Sequence, residues 1–153
     1  MIPKLILFDA DGTLRTCTVP GQPCPNEPDQ WRLLPNVRKT ISNLGDVALG
    51  IISNQAGVAY GYLSEGMANK LLHDLAKSAF GERAYIIDFC PHAIDAGCEC
   101  RKPKPRMLER CMNITLCEPG ETLFVGDQET DKQAAQNARC AFIWAKDFFK
   151  WRK

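Results

Sequence analysis

The residues best suited to chemistry are two aspartates, Asp9 and Asp11, which follow the apolar run of residues 5–8 and precede Gly12-Thr13. A buried strand that ends in two carboxylates is costly unless a partner holds their charges. Alternate residues of an extended chain point to opposite sides, so we expect the two aspartates to do different work. A divalent cation together with a phosphate group would account for both. This stretch alone leaves open a second interpretation, an Asx-capped turn after a buried strand.

Three further apolar segments also end in polar groups. The second segment ends at Ser53 and Asn54, where a hydroxyl and a backbone N–H suit phosphate oxygens. The third leads to the cationic run of residues 101–105, and the fourth ends at Asp127, with Asp131 four residues on. Taken singly, these groups could be an ordinary turn, a solvated basic loop and a helix cap.

Taken together, the four strand ends favour a catalytic site. In open α/β sheets, ligands bind at the carboxyl ends of the strands, and each of these groups comes after the carboxyl end of a predicted strand. The set contains a nucleophile, a phosphate clamp, a counter-charge and metal ligands. It therefore contains all the functional groups that Mg²⁺-assisted phosphoryl transfer needs.

The elements that must position these groups alternate along the chain. Apolar patterns predict strands over residues 4–8, 47–52, 84–89 and 122–125, with a weaker fifth over 141–144. Helical patterns lie between them, with Asn36 and Ser64 as predicted N-caps and residues 129–138 as the last clear helix. This order predicts an α/β fold: a Rossmann-like, mainly parallel sheet of about five strands with helices on both faces.

The chain of 153 residues is expected to form a single domain, residues 1–153, without a separate cap domain. Two connections are too long for a compact βα repeat. The first, a flap at residues 15–34, contains four prolines, and the second spans residues 90–104. Long loops in compact domains are usually functional, so we expect these two to cover the site.

The second long connection contains a cluster of metal-ligand residue types. Cys90, His92, Cys98 and Cys100 supply the three thiolates and one imidazole of a closed tetrahedral Zn²⁺ site. Such a site has no open coordination position, so its predicted role is structural. It would pin the loop that delivers Arg101 and Lys102. The remaining cysteines are scattered, as expected of small buried hydrophobic residues.

Charge and hydropathy give no sign of a nucleic-acid or membrane surface. The net charge is +1, and no apolar run approaches the length of a membrane span. The first residues lead straight into the predicted first strand and lack a signal-peptide layout, so we expect a cytoplasmic protein.

The motifs follow the order of a known family pattern. Asp9-Ala10-Asp11-Gly12-Thr13, Ser53-Asn54, Lys102 and Gly126-Asp127 with Asp131 resemble the four ordered motifs of the haloacid dehalogenase superfamily of phosphatases. More narrowly, residues 53–59 and residues 90–103 are similar to two stretches of its capless histidinol-phosphatase and heptose-bisphosphate-phosphatase subfamily. The resemblance extends from the first strand to Ala138.

The resemblance implies a role for each matched residue. Asp9 would be the nucleophile that forms an aspartyl-phosphate, and Asp11 would act as general acid and then as general base. Asp9, the backbone carbonyl of Asp11 and Asp127 would bind Mg²⁺, and Asp131 would support Asp127 or position Lys102. Lys102 would offset the charge of the phosphate. Phosphate and substrate contacts would come from Ser53, Asn54, Gln55 and Arg101.

The substrate is less well determined than the chemistry. Tyr60 stands where the heptose-phosphatase pattern tends to carry arginine, Arg106 stands where it has glycine, and the flap is longer. The first hypothesis is a Mg²⁺-dependent phosphomonoesterase acting on a small metabolite such as a heptose phosphate or histidinol phosphate, as a monomer. The alternatives are a polynucleotide 3′-phosphatase, against which the near-neutral charge argues, and a zinc-stabilised binding module that has lost catalysis.

Overall fold

The computed structural model describes residues 2–152 of the chain. Five strands form the main sheet: β1 Leu5–Phe8, β4 Ala48–Asn54, β5 Tyr85–Cys90, β6 Thr122–Gly126 and β7 Ala141–Trp144. Two short strands, β2 Arg15–Cys17 and β3 Trp31–Leu33, precede β4. The helices are α1 Val37–Ser42, α2 Glu65–Phe80, α3 Arg106–Thr115, α4 Glu129–Ala138 and α5 Ala145–Phe148, with a 3₁₀ turn at Pro119–Glu121.

The main sheet is parallel throughout, in the order β5-β4-β1-β6-β7. Strand β1 is central, and Phe8 lies level with Ile51 of β4 and Val125 of β6. The carboxyl ends of these three strands therefore meet at one edge of the sheet. The predicted α/β class, the parallel sheet and the number of strands are confirmed.

The side chains of β1 divide the core into two layers. Ile6 and Phe8 pack on the face covered by α1, α2 and α5, and Leu5 and Leu7 pack on the face covered by α3 and α4. All four are buried. Because both faces are covered, the central strands are continuous apolar runs, as is typical of parallel sheets.

The flap contains a small hairpin that the sequence did not reveal. Strands β2 and β3 pair antiparallel, with Cys17 opposite Trp31 and Arg15 opposite Leu33. Each strand has only three residues, and the proline-rich segment between them hides the alternation that would identify a hairpin. The flap is therefore anchored at its base by backbone hydrogen bonds.

The two predicted helix caps had different outcomes. Ser64 caps α2, and its Oγ accepts a hydrogen bond from the backbone N–H of Met67 at 3.0 Å. Asn36 occupies the N-cap position of α1, but its side chain makes no capping hydrogen bond. Its backbone is left-handed, with φ of +66°, and its Nδ2 donates instead to the carbonyl of Phe149 at 3.0 Å.

Within residues 2–152, no helix combines the length and the apolar character needed to cross a membrane. All eight cysteines are free thiols.

Candidate active site

Asp9 is the first residue after β1 and lies almost completely buried at the edge where the central strands end. Its Oδ1 accepts a hydrogen bond from the Lys102 Nζ at 2.7 Å. Lys102 is itself only 3 % exposed, and its Nζ also donates to Asp131 Oδ1 at 2.7 Å. One ammonium group thus joins residues that are 93 and 29 positions away from it along the chain.

The backbone of Lys102 is held by the end of β4. The Oδ1 atom of Asn54 accepts from the Lys102 backbone N–H at 3.0 Å, and the Asn54 Nδ2 donates to the Lys102 carbonyl at 3.3 Å. This reciprocal pair fixes the segment that follows Cys100. The Asn54 side chain therefore positions Lys102. The Asn54 backbone, at the end of β4, remains the part of this residue that is predicted to contact phosphate.

Asp131, in the first turn of α4, has every carboxylate contact supplied by the protein. Its Oδ2 accepts from the backbone N–H groups of Asp127 and Gln128 at 3.1 and 3.0 Å, and its Oδ1 is paired with Lys102. A Cβ on Gly126 would lie 2.5 Å from the Asp131 Cβ, so this close approach requires glycine. The contacts support the predicted role of Asp131 in positioning Lys102.

Asp127 follows β6 and is oriented by two neutral donors. Thr13 Oγ1 donates to its Oδ1 and Gln128 Nε2 to its Oδ2, each at 3.0 Å. The turn at Gly12 passes directly beneath this carboxylate, and a Cβ at Gly12 would lie 2.2 Å from Oδ2. With φ of +84°, Gly12 also adopts a backbone conformation that other residues rarely adopt.

The carboxylate of Asp11 belongs to a separate network. Arg15 donates to it through Nε at 2.7 Å and through Nη2 at 3.2 Å, and Gln55 Nε2 donates to its Oδ2 at 3.1 Å. Gln55 also donates to Ser53 Oγ at 2.8 Å, and the serine hydroxyl itself makes only a long contact, of 3.5 Å, to the carbonyl of Asn54. The two aspartates therefore have different partners, as their alternation predicted.

Arg15 is the residue of this site that sequence reasoning missed. An arginine just after an Asp-Gly turn would usually be a solvated surface residue, but Arg15 is 1 % exposed and is among the largest fully buried side chains. Its only available signal was the spacing of four residues from Asp11. Its Nη1 has no hydrogen-bond partner in the structure.

Burial and neighbouring charges shift the pKa values of Asp9 and Lys102. Burial raises the pKa of Asp9 well above its ordinary range, and the carboxylates of Asp131 and Asp127 add to the rise, while the Lys102 ammonium opposes it. Burial lowers the pKa of Lys102, but Asp9 and Asp131 outweigh it and hold the pKa above its ordinary value. Lys102 is therefore an ammonium at neutral pH.

The acidic groups fit a divalent cation. Carboxylate oxygens of Asp9, Asp127 and Asp131 lie within 4.8 Å of one another. With Asp11, the site has four carboxylates against the three cations Lys102, Arg15 and Arg101, so one negative charge remains. Since Asp131 has its contacts within the protein, Asp9 and Asp127 are the carboxylates best placed to bind Mg²⁺, whose preferred ligands are oxygens.

These side chains line a cavity of about 440 Å³, here called the catalytic cavity. Its walls also include Ser53, Asn54 and Arg101, together with Cys17 and Cys24 of the flap. Arg101 Nη1 is buried and has no hydrogen-bond partner among residues 2–152. An unpaired guanidinium N–H beside a cavity is a suitable donor for a phosphate oxygen.

The predicted zinc ligands lie together. The Sγ atoms of Cys90 and Cys98 are 3.6 Å apart, and His92 Nδ1 lies 3.4 Å from the Sγ of Cys90 and 3.1 Å from that of Cys100. A tetrahedral Zn²⁺ with ordinary bond lengths separates such ligand atoms by about 3.5–3.8 Å. The observed separations of 3.1–3.6 Å are equal to or slightly shorter than these, so the four side chains are close enough to share one metal ion as a Cys₃His site. Arg101 follows directly after Cys100, the last residue of the set.

The structure brings together every residue that the motifs singled out. Around the catalytic cavity lie Asp9, Asp11, Ser53, Asn54, Arg101, Lys102, Asp127 and Asp131. Gln55 is buried and contacts this group through Asp11 and Ser53. The four cysteine and histidine ligands form their own cluster at the end of β5. The catalytic and binding roles of these residues remain predictions.

Comparison with known proteins agrees with this fold and site. Residues 87–145 match the family described as haloacid dehalogenase-like hydrolase. The D-glycero-beta-D-manno-heptose-1,7-bisphosphate 7-phosphatase of Bordetella bronchiseptica is 32 % identical over 90 % of this chain and 78 % of its own. The same-named enzyme of Pseudomonas putida is 31 % identical, over 86 % of this chain and 76 % of its own.

A solved structure agrees equally well. The crystal structure of the B. bronchiseptica D,D-heptose 1,7-bisphosphate phosphatase, complexed with magnesium and phosphate, superposes with a TM-score of 0.77 at 33 % identity. The match covers 91 % of this chain and 78 % of that one. The chain therefore belongs to the haloacid dehalogenase-like hydrolases. Within that family it is a phosphatase, as its heptose-bisphosphate-phosphatase relatives are.

Proposed function

We propose that the protein is a Mg²⁺-dependent phosphomonoesterase that acts through an aspartyl-phosphate on a small phosphorylated metabolite. The observation that carries the proposal is the environment of Asp9. This buried carboxylate borders the catalytic cavity, is paired with Lys102, and lies within 4.8 Å of Asp127. Burial raises the pKa of Asp9, the carboxylates of Asp131 and Asp127 add to the rise, and a bound cation would oppose it.

In the first step of the proposed reaction, an Asp9 oxygen attacks phosphorus and the bond to the ester oxygen breaks. Asp11 transfers its proton to the departing alkoxide, which leaves as the alcohol. In the second step, Asp11 accepts a proton from water as the water oxygen attacks phosphorus. The bond between Asp9 and phosphorus then breaks, and inorganic phosphate leaves.

The remaining groups bind and neutralise the phosphate. The Ser53 hydroxyl accepts from Gln55 and has its own proton to donate, and Arg101 has a free buried N–H. Lys102 offsets the charge of a dianionic phosphate beside carboxylates. Asp9, Asp127 and the Asp11 backbone carbonyl would hold Mg²⁺, which supplies further charge neutralisation at the phosphoryl oxygens.

We propose a structural role for the zinc cluster. Its ligands come from the end of β5 and from the loop that precedes Arg101 and Lys102. Because a Cys₃His set fills the coordination of Zn²⁺, the metal would fix this loop and take no part in the reaction.

Candidate substrates come from the relatives. Their names specify the 7-phosphate of heptose 1,7-bisphosphate, so phosphorylated sugars are among the candidates to be tested here. Histidinol phosphate, which the sequence resemblance also implied, is the other small metabolite to be tested. Cytoplasmic location and a monomeric state remain predictions.

The test is release of inorganic phosphate from a panel of esters, with and without Mg²⁺. The panel contains heptose 1,7-bisphosphate, hexose phosphates, histidinol phosphate and a 3′-phosphorylated oligonucleotide. We expect turnover that needs Mg²⁺ and that falls by at least about 10³-fold in Asp9→Asn, as the loss of a nucleophile does in other enzymes. The matched control Asp46→Asn alters an exposed aspartate far from the cavity and should keep full activity. Retained activity in Asp9→Asn would refute the aspartyl-phosphate mechanism.

A further inference from the structure

A second, larger pocket opens directly beside the catalytic cavity. This outer pocket has a volume of about 690 Å³ and lies between the flap, residues 54–63 and the zinc loop. The two cavities share Pro23, Cys24, Asn54 and Arg101 in their walls. A phosphate ester with its phosphoryl group at Asp9 therefore extends its alcohol portion into the outer pocket.

The walls of the outer pocket are largely apolar and partly aromatic. Tyr60, Tyr62 and Ile94 line it and are 47, 67 and 66 % exposed, so three large apolar side chains face solvent around one opening. The rings of the two tyrosines lie 6.1 Å apart. Exposed apolar surface of this kind beside a catalytic site is typical of ligand recognition.

The position of Tyr60 is fixed by the zinc loop. Its hydroxyl accepts a hydrogen bond from the backbone N–H of Ile94 at 3.1 Å. The ring therefore spans the pocket mouth from the β4–α2 connection to the zinc loop. A rigid aromatic wall can stack against a flat ligand without first losing side-chain freedom.

The outer pocket has almost no charge. Among the side chains that line it, Arg101 alone is ionised at neutral pH. Arg101 also borders the catalytic cavity, where its free N–H suits the phosphate that is cleaved. Neither a second phosphate nor an ammonium group on the substrate would then find an opposite charge in this pocket.

We infer that the preferred substrate is a monophosphate ester whose alcohol carries a flat, uncharged aromatic or heteroaromatic ring, held in the outer pocket against Tyr60 and Tyr62. This inference rests on the proposed function, because it assigns the phosphoryl group to Asp9. It differs from the bisphosphorylated sugar that the names of the relatives specify.

The test measures binding with phosphonates, which cannot be hydrolysed, so it does not depend on turnover. The three probes are 3-phenylpropylphosphonate, propylphosphonate and propane-1,3-bisphosphonate, titrated into the Mg²⁺-loaded protein by calorimetry. We expect the phenyl compound to bind at least about tenfold more tightly than propylphosphonate, a difference of 1.4 kcal/mol. We expect the bisphosphonate to bind no more tightly than propylphosphonate.

Three variants test whether the Tyr62 ring causes the affinity advantage of the phenyl compound. Tyr62→Ala should reduce the advantage of the phenyl compound to less than about threefold, because the stacking surface is lost. Tyr62→Phe keeps the ring and should keep the advantage, as should Leu116→Ala, which removes an exposed apolar side chain outside the pocket.

Two results would overturn the inference: equal affinities for the phenyl and propyl compounds, or tighter binding of the bisphosphonate. Phosphate release from 2-phenylethyl phosphate is assayed separately. Failure to hydrolyse this and every other ester would refute the proposed function, while the binding comparison alone decides the occupant of the outer pocket.

Discussion

The guanidinium of Arg15 contacts the carboxylate of Asp11 through two hydrogen bonds, from Nε to Oδ1 at 2.7 Å and from Nη2 to Oδ2 at 3.2 Å. A planar donor pair of this kind fixes the plane of a carboxylate as well as its position. Gln55 adds a third donor to the same group. The predicted general acid is thus held in one orientation by buried side chains.

Replacing Arg15 should therefore impair proton transfer to the leaving group more than attack on phosphorus. We expect Arg15→Met to lower kcat/KM for an alkyl phosphate by about 10²-fold, within the range that general acids contribute. For p-nitrophenyl phosphate, kcat/KM should fall less than about fivefold, because its leaving group needs no proton. The measurement is kcat/KM for both esters in the same preparation, because this ratio reports only the steps up to departure of the alcohol and excludes the later attack of water, in which Asp11 serves both esters.

The matched control for Arg15 is Arg110→Met, which removes another arginine–aspartate pair. Arg110 of α3 is half-exposed and donates through Nη1 to the Asp88 carboxylate of β5. The two N–O distances, 3.1 and 2.9 Å, are near those between Arg15 and Asp11. Loss of Arg110 should change stability by less than about 1 kcal/mol and leave both rates unchanged. An equal loss of rate for both esters in Arg15→Met would show that Arg15 acts only on the fold.

Lys102→Met should destabilise the fold, because it leaves the buried carboxylates of Asp9 and Asp131 without a counter-charge. We expect a loss of about 3–5 kcal/mol in the free energy of unfolding, measured with urea in Mg²⁺-free buffer. The double variant with Asp131→Asn removes one of these charges and should recover part of the stability but none of the activity. Full stability in Lys102→Met would contradict the buried ion pairs.

The pH dependence of this effect follows from the direction of the pKa shift. The folded-state pKa of Lys102 is raised above its unfolded value, which is about 10.4. The stabilisation is then fully present below that pH and is lost only as the pH rises through the folded-state value. The stability difference between wild type and Lys102→Met should therefore not decrease as the pH rises from about 6 to 9, measured in the same titrations. At the acid end the difference should be smaller, because loss of the ammonium raises the pKa of Asp9 further and favours its neutral form. A difference that disappears as the pH rises over this range would be inconsistent with a raised pKa of Lys102.

Zinc should be present at about one ion per chain in protein never exposed to a chelator, as the four-ligand set requires. Elemental analysis measures it. Cys100→Ser should lose the metal, lower the melting temperature and reduce turnover, because the segment that carries Arg101 and Lys102 is released. Cys117→Ser changes a half-buried cysteine outside the cluster and should keep the metal. Wild-type protein without zinc would remove the structural-metal proposal.

Gly12→Ala should abolish most of the activity. The added Cβ would meet Asp127 Oδ2 at 2.2 Å and would displace a proposed metal ligand. The control is Gly61→Ala, which has a similar φ of +80° but no atom within 4 Å of the added Cβ. Both variants should lose about 1 kcal/mol of stability from backbone strain, but only Gly12→Ala should lose at least tenfold in turnover of propyl phosphate.

The Mg²⁺ requirement provides a second measurement for Gly12→Ala, because Asp127 is a proposed Mg²⁺ ligand. The Mg²⁺ concentration for half-maximal turnover should rise in Gly12→Ala and stay unchanged in Gly61→Ala. Equal behaviour of the two variants would mean that strain, and not the contact with Asp127, sets the cost.

The sheet could be predicted from the sequence because its strands are buried on both faces. Each is then a short apolar run between turns, and the predicted β4 and β5 differ from the observed Ala48–Asn54 and Tyr85–Cys90 by at most two residues at either end. The site residues follow those runs, so the motifs located them as well. Ser64 was equally predictable, since its cap depends only on local sequence.

Three features depend on contacts that local sequence does not contain. The β2–β3 hairpin joins two three-residue strands across a proline-rich segment. The Asn36 side chain donates a hydrogen bond to the carbonyl of Phe149, 113 residues away. Arg15 is buried because it pairs with Asp11. From local sequence, an arginine with a buried partner cannot be distinguished from an arginine in solvent.

The order of the central strands has a consequence for how the molecule is made. Strands β4, β1 and β6 are neighbours in the sheet, but they are encoded at residues 48–54, 5–8 and 122–126. The predicted nucleophile Asp9 is synthesised before its partner Lys102, which lies 93 residues further along the chain, and before Asp131, which lies 29 residues beyond Lys102. Contacts between distant segments form late and slow the folding reaction. A nascent or truncated chain that lacks α4 therefore has the predicted nucleophile without its partner Asp131, and the proposed activity requires the segment from β1 to α4 to be folded.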